Sequence, residues 1–171
     1  MDASKPRENL HIVVGVDGSP ESVLALKWAQ KLAAPLGATI KAVSAWRPEV
    51  VFAPYSIPEW DSEGVVAKQQ GQALLEAFGG NPPQGLVRES HRGQAAQVLI
   101  DAGNQAQMLI VGSRGHGGFK GMLLGSVSSA CAAHAKCPVL VVHSAVDAVS
   151  AQEAAGADAE HLEVQEPTGE I

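Results

Sequence analysis

Apolar and polar positions alternate along the chain in two different rhythms, and the changes of rhythm divide it into elements. "LHIVVGVDGS" (10–19) is a short apolar run rich in Val and Ile that ends in Asp-Gly-Ser, the pattern of a buried strand stopping at a turn. "SPESVLALKWAQKLAAPLG" follows, with Ser19 as N-cap, Pro20 at the first helical position and Gly37 where the helix must stop. Leu24, Trp28, Lys31 and Leu32 fall near helical spacing, which predicts a core position for Trp28. A second strand is expected over 38–46, a long loop with three prolines over 47–61, and a helix over 61–78 closed by "GGNPPQG". "LVRESHRG" (86–93) alternates as a half-buried or edge strand does. A short helix in "QAAQVLIDAGNQ", a strand in "AQMLIVGS", a helix over about 125–135 and a last strand in "CPVLVVHS" complete the order.

Regular alternation of apolar strands with helices predicts an α/β domain, a parallel sheet covered on both faces. Ligands of such sheets bind beyond the carboxyl ends of the strands, where the winding reverses. Two strand ends carry unusual chemistry: Asp17-Gly18-Ser19 after the first strand, and "VGSRGHGGFKGMLLGSV" (111–127), with six glycines, after the fourth. The two ends are expected to be neighbours.

So much glycine weakens strands and helices alike and suits a ligand or a tight turn. A glycine loop feeding a helix offers bare N–H groups and the positive end of a helix dipole, with the Ser126 and Ser128 hydroxyls at the helix start, which together suit a phosphate. A Walker loop is excluded because Lys120 is followed by Gly121 rather than Ser or Thr. The dinucleotide fingerprint is excluded because it belongs after the first strand.

The spacing Gly112-x2-Gly115-x9-Gly125-Ser126, together with "VVGVDGS" (13–19) and "CPVLVV" (137–142), resembles the ATP-binding branch of the universal stress protein family over roughly residues 10–144. The resemblance implies a single-domain, flavodoxin-like or Rossmann-like three-layer α/β fold with a five-stranded parallel sheet. It also implies ATP, with magnesium, held over the first and fourth strand ends. On that reading Gly15, Val16 and Asp17 line the adenosine, Asp17 reaching the ribose or a metal-bound water, and Ala45 meets the adenine through its backbone. Val111, Gly112 and Gly115 lie along ribose and phosphates; Gly125, Ser126 and Val127 hold the phosphate end, with Arg114, His116 and Ser128 as helpers. A homodimer through the last strand, residues 138–143, is implied as well. From the residues alone, AMP or cyclic AMP stays open as the ligand. So does slow ATP hydrolysis, for which Arg114, His116 and Lys120 are the only candidate groups.

Composition narrows the partners. Net charge is −6, yet seven acidic residues and no Lys or Arg lie from Ser144 onward, which leaves 11 acidic against 12 basic residues in the body. That balance argues against nucleic acid as a partner. Residues 1–9 read as a polar lead and 145–171 as an acidic, flexible tail or marginal helix outside the domain. The polar start "MDASKPRENLH", and apolar runs all shorter than a membrane span, predict a cytoplasmic protein without a membrane segment. Cys131 and Cys137 fit a reducing compartment. With His134 and His143 they match no common zinc spacing and are expected to be small buried thiols. Trp46 and Trp60 flank the long loop, where they would cover either the nucleotide or a neighbouring apolar surface.

Overall fold

A computed structural model describes residues 10–47, 62–115 and 124–144 of the chain. Within them the order is β1 (His11–Gly15), α1 (Pro20–Leu36), β2 (Thr39–Trp46), α2 (Ser62–Phe78), β3 (Val87–Arg92), α3 (Ala95–Gly103), β4 (Met108–Gly112), α4 (Ser126–His134) and β5 (Val139–Val142). The strands form one parallel sheet in the order β3-β2-β1-β4-β5. The chain steps outward from β1 to β3, then crosses back over β1 to β4. The winding therefore reverses between β1 and β4, and the two strand ends with unusual chemistry are neighbours. This is the three-layer α/β fold that the alternation predicts.

Strand alternation splits the interior in two. Ile12, Val14, Ile40, Ala42 and Ile110 pack with Leu26 and Ala29 of α1 and Leu74 and Phe78 of α2. Val13, Val43, Leu109 and Val111 pack with Leu99 of α3 and Cys131 of α4. β1 and β4 bury residues toward both layers, which is why they read as unbroken apolar runs. β3 is an edge strand with no fully buried residue, and charge marks it. Glu89 lies 2.9 Å from both Lys41 Nζ and His91 Nε2. The His91 contact first, and Lys41 after it, hold the Glu89 carboxyl below its ordinary range against the opposing effect of burial. Charges on an edge strand also discourage pairing with another chain.

α1 begins as its sequence dictates. Ser19 is extended, its hydroxyl accepts from Ser22 N at 3.2 Å, and Pro20 opens the first turn. Gly37 ends the helix in the left-handed conformation (φ +60°), which glycine adopts without a Cβ penalty. One expectation fails here. Trp28 is 42% exposed, with Lys31 Nζ 5.1 Å from its ring centroid, because α1 turns Ser22, Leu26, Ala29 and Ala33 inward and leaves Trp28 off that row. Among the described residues no helix is long and apolar enough to cross a membrane. The lead 1–9, the tail 145–171, and His116, Lys120 and Trp60 lie outside the described residues.

Candidate functional site

The ends of β1, β2 and β4 and the starts of α1, α3 and α4 enclose a cavity of about 360 Å³. Every predicted site residue within the described segments lies on its wall: Gly15, Val16 and Asp17 after β1, Ala45 on β2, Val111, Gly112, Arg114 and Gly115 after β4, and Gly125, Ser126, Val127 and Ser128 at α4. His116 falls outside the described residues. The wall has two characters. Val16, Val43, Ala45, Leu99, Val111 and Val127 make it apolar in one part, while Asp17, Arg114 and Ser126 add polar groups.

The turn after β1 is fixed by its own hydrogen bonds. Asp17 Oδ1 accepts from Ser19 N at 2.9 Å and from Ser19 Oγ at 2.6 Å. Ser22 Oγ donates to Ser19 O at 2.8 Å. Asp17 thus holds the residue that caps α1, and its second oxygen, Oδ2, faces Gly115 on the opposite loop. Val16 contributes surface rather than backbone groups, because its N–H donates to Val43 O at 2.9 Å and its carbonyl accepts from Ser44 Oγ at 2.6 Å.

Two glycines after β4 are there for space. A Cβ on Gly112 would lie 2.6 Å from Glu21 Cβ and 3.1 Å from Arg114 O, so the strand end could not approach α1 with any other residue. A Cβ on Gly115 would collide with Asp17 Oδ2. Gly15, on the same wall, also makes room for α3: a Cβ there would press on Leu99 Cδ1 at 2.8 Å.

α4 begins without a side-chain cap, since its N-cap is Gly125. The first N–H groups of such a helix are unsatisfied within it and carry the positive end of its dipole. Ser126 is exposed at this end, whereas Ser128 is only 2% exposed. The Ser128 hydroxyl lies 2.8 Å from Ser113 O and 3.0 Å from Gly125 O, so its proton is engaged inside the protein.

Five wall residues escape the sequence reading: Ser19, Ser22, Val43, Ala95 and Leu99. Val43 was reachable, standing two residues before Ala45 and so on the same strand face. Ala95 and Leu99 share a helix face, but nothing in the sequence tells which strand end α3 crosses. Cys131 is fully buried and Cys137 partly so. Burial, and after it the neighbouring Cys137, pushes the Cys131 thiol up to about 11; burial also raises Cys137. Both thiols are thereby held in the protonated form near neutral pH. Among the described residues no three His, Cys, Asp or Glu side chains gather as a metal cluster.

Comparison with known proteins gives a consistent result. The family model described as "Universal stress protein family" matches residues 8–143. A universal stress protein of Mycolicibacterium smegmatis is 38% identical over 146 residues, covering 82% of this chain and 48% of the relative. One of Mycobacterium tuberculosis is 33% identical over 149 residues, covering 82% and 50%. The chain thus spans about half the length of the curated relatives it matches. Among solved structures, a universal stress protein in complex with cAMP superposes with a TM-score of 0.61 at 26% identity, over 78% of this chain and 97% of that one. The protein UspA of Lactobacillus plantarum gives 0.61 at 20% identity over the same shares, a likeness of fold.

Proposed function

The chain belongs to the universal stress protein family, and from that premise we propose that it binds an adenine nucleotide in the cavity over β1 and β4. The ligand on this reading is ATP with magnesium. The observation that carries it is the junction, on one cavity wall, of an apolar cleft, a carboxylate and an uncapped helix start. An adenine ring suits the part lined by Val43, Ala45 and Leu99, a ribose hydroxyl suits the free oxygen of Asp17, and phosphates suit the start of α4. Asp17 also offers the hard oxygen that magnesium takes alongside nucleotide phosphates. Cyclic AMP or AMP is the second reading, favoured by the cAMP complex of the 26% identical structure.

The protein acts chiefly by binding, in the stress response and in the cytoplasm, rather than as an efficient enzyme. Asp17 is the one carboxylate on the described cavity wall. Good phosphoryl-transfer catalysts add a group that orients water and an inserted arginine. A homodimer through residues 138–143 belongs to the same proposal, since β5 pairs on one side with β4 and has no strand on the other among the described residues.

The test is to purify the protein without added nucleotide, denature it and identify any released small molecule by chromatography and mass spectrometry. ATP near one per chain is expected. ADP would shift the account toward slow hydrolysis, and AMP or cyclic AMP toward the second reading. Failure to take up any adenine nucleotide in a titration with magnesium would overturn it.

A further inference from the structure

We infer that Ser128 is a positioning residue, a latch that sets the distance between the two walls of the cavity without touching the ligand's phosphates. This inference rests on the nucleotide reading above and specifies how its phosphate end is built.

Ser113 leaves β4 and Gly125 opens α4, with eleven residues of chain between them. The end of β4 and the start of α4 are joined directly through one carbonyl oxygen. Ser113 O accepts from Gly125 N at 2.7 Å and from Ser128 Oγ at 2.8 Å. Ser113 is anchored in turn, its N–H donating to Val142 O of β5 at 2.7 Å, and it is fully buried. The Gly125 bond fixes where the helix begins. The Ser128 bond, one turn further along, fixes the direction in which the helix points.

That direction decides where the first N–H groups of α4 aim. Buried Cys131 seats α4 on the α3 layer, and the two bonds to one carbonyl, one just before the helix and one from inside its first turn, set the position of its first N–H groups within that packing. Burial at 2% exposure keeps water from substituting for the hydroxyl. The consequence is unequal across the ligand. Adenosine rests on β1, β2, α3 and the Asp17 turn, none of which the latch holds. Phosphates rest on α4, which it does hold, and a displaced donor loses most of its worth.

The experiment compares ATP, AMP and adenosine affinities by calorimetry in the full chain and in Ser128→Ala, Ser128→Thr and Ser129→Ala. Ser129 is an exposed neighbour on the same turn and off the cavity wall, so it controls for helix propensity. Loss of one buried hydrogen bond predicts that Ser128→Ala weakens ATP and AMP by about tenfold and adenosine by less than about twofold. Ser128→Thr, which keeps the hydroxyl, restores the phosphate-bearing ligands, and Ser129→Ala leaves all three unchanged. Equal loss for adenosine and ATP, or no loss for either, overturns the latch while leaving the nucleotide reading standing. Absence of adenine-nucleotide binding in the unmodified chain overturns that reading, and the latch falls with it.

Discussion

Two helices, α1 and α4, begin at the same edge of the sheet and against the same cavity, yet they begin in opposite ways. α1 is closed: Ser19 caps Ser22 N, Pro20 removes one N–H, and Asp17 holds the cap from behind. α4 is open: glycine stands at the cap, and the serine inside the first turn points back to Ser113 O rather than along the helix. The segment before α1 is four residues, Val16 to Ser19, and the segment before α4 is long and rich in glycine. A helix start that the chain satisfies for itself is structural. One that it leaves bare against a cavity is available to an anion.

The largest expected effect comes from joining the two sides by force. Gly115→Val puts a side chain on Asp17 Oδ2. Overpacking of that kind costs on the order of 1–3 kcal/mol, so nucleotide affinity measured by calorimetry should fall by roughly 100-fold while the circular dichroism spectrum is kept. Affinity within twofold of the unmodified chain would mean that nothing binds between these two turns.

Making α4 begin as α1 does is the next sharpest intervention. Gly125 has φ −73° and ψ 166°, a conformation serine adopts at an N-cap, and a Cβ there would stand 3.4 Å from Ser113 O, close but not clashing. Gly125→Ser should raise stability by a few tenths of a kcal/mol, roughly the serine-over-glycine cap preference, and weaken ATP by about tenfold as the hydroxyl competes for the N–H groups. If ATP binds as before, the open start is not where phosphate sits.

The reverse change opens α1. Ser19→Ala removes the cap and one of the two bonds to Asp17 Oδ1, leaving the one from the Ser19 N–H, and should cost about 1 kcal/mol in urea unfolding, with a few-fold loss of ATP affinity. Stability unchanged within error would deny the cap its role.

The smallest effect lies at the far edge of the sheet, remote from both helix starts. The Glu89 pKa is lowered from 4.5 in the folded protein, so its contribution is complete above that value and disappears as pH falls through the folded pKa. Its side chain is 30% exposed, and solvent screening keeps the pairing under about 1 kcal/mol. Glu89→Gln should therefore lower stability slightly at pH 7 and by progressively less as pH falls through the folded pKa, with ATP affinity untouched. A change in ATP affinity would show that the β3 edge communicates with the cavity.

Much of this contrast was legible in the chain. Ser19-Pro20 and Gly37 bound α1 as capping chemistry requires, and the apolar runs of β1 and β4 announced strands buried on both faces. The six glycines after β4 marked the open helix start. What escaped depends on contacts between distant segments. Nothing local tells that Gly15 is small because Leu99 comes from α3 to fill the space. The inward turn of the Ser128 hydroxyl depends on where Ser113 O stands, fifteen residues earlier. Trp28 read as core because helical spacing shows that a face is apolar, not how far the sheet extends beneath it.

The central claim is that the bare start of α4, and not the capped start of α1, receives the phosphates. The most direct test follows backbone amide resonances of isotopically labelled protein as ATP and magnesium are added, with adenosine as the comparison. The account predicts that the amides of Ser126 and Val127 shift with ATP and much less with adenosine, while Ser22, held by Ser19, shifts little with either. Large shifts at Ser22 with silent amides at Ser126 and Val127 would contradict it.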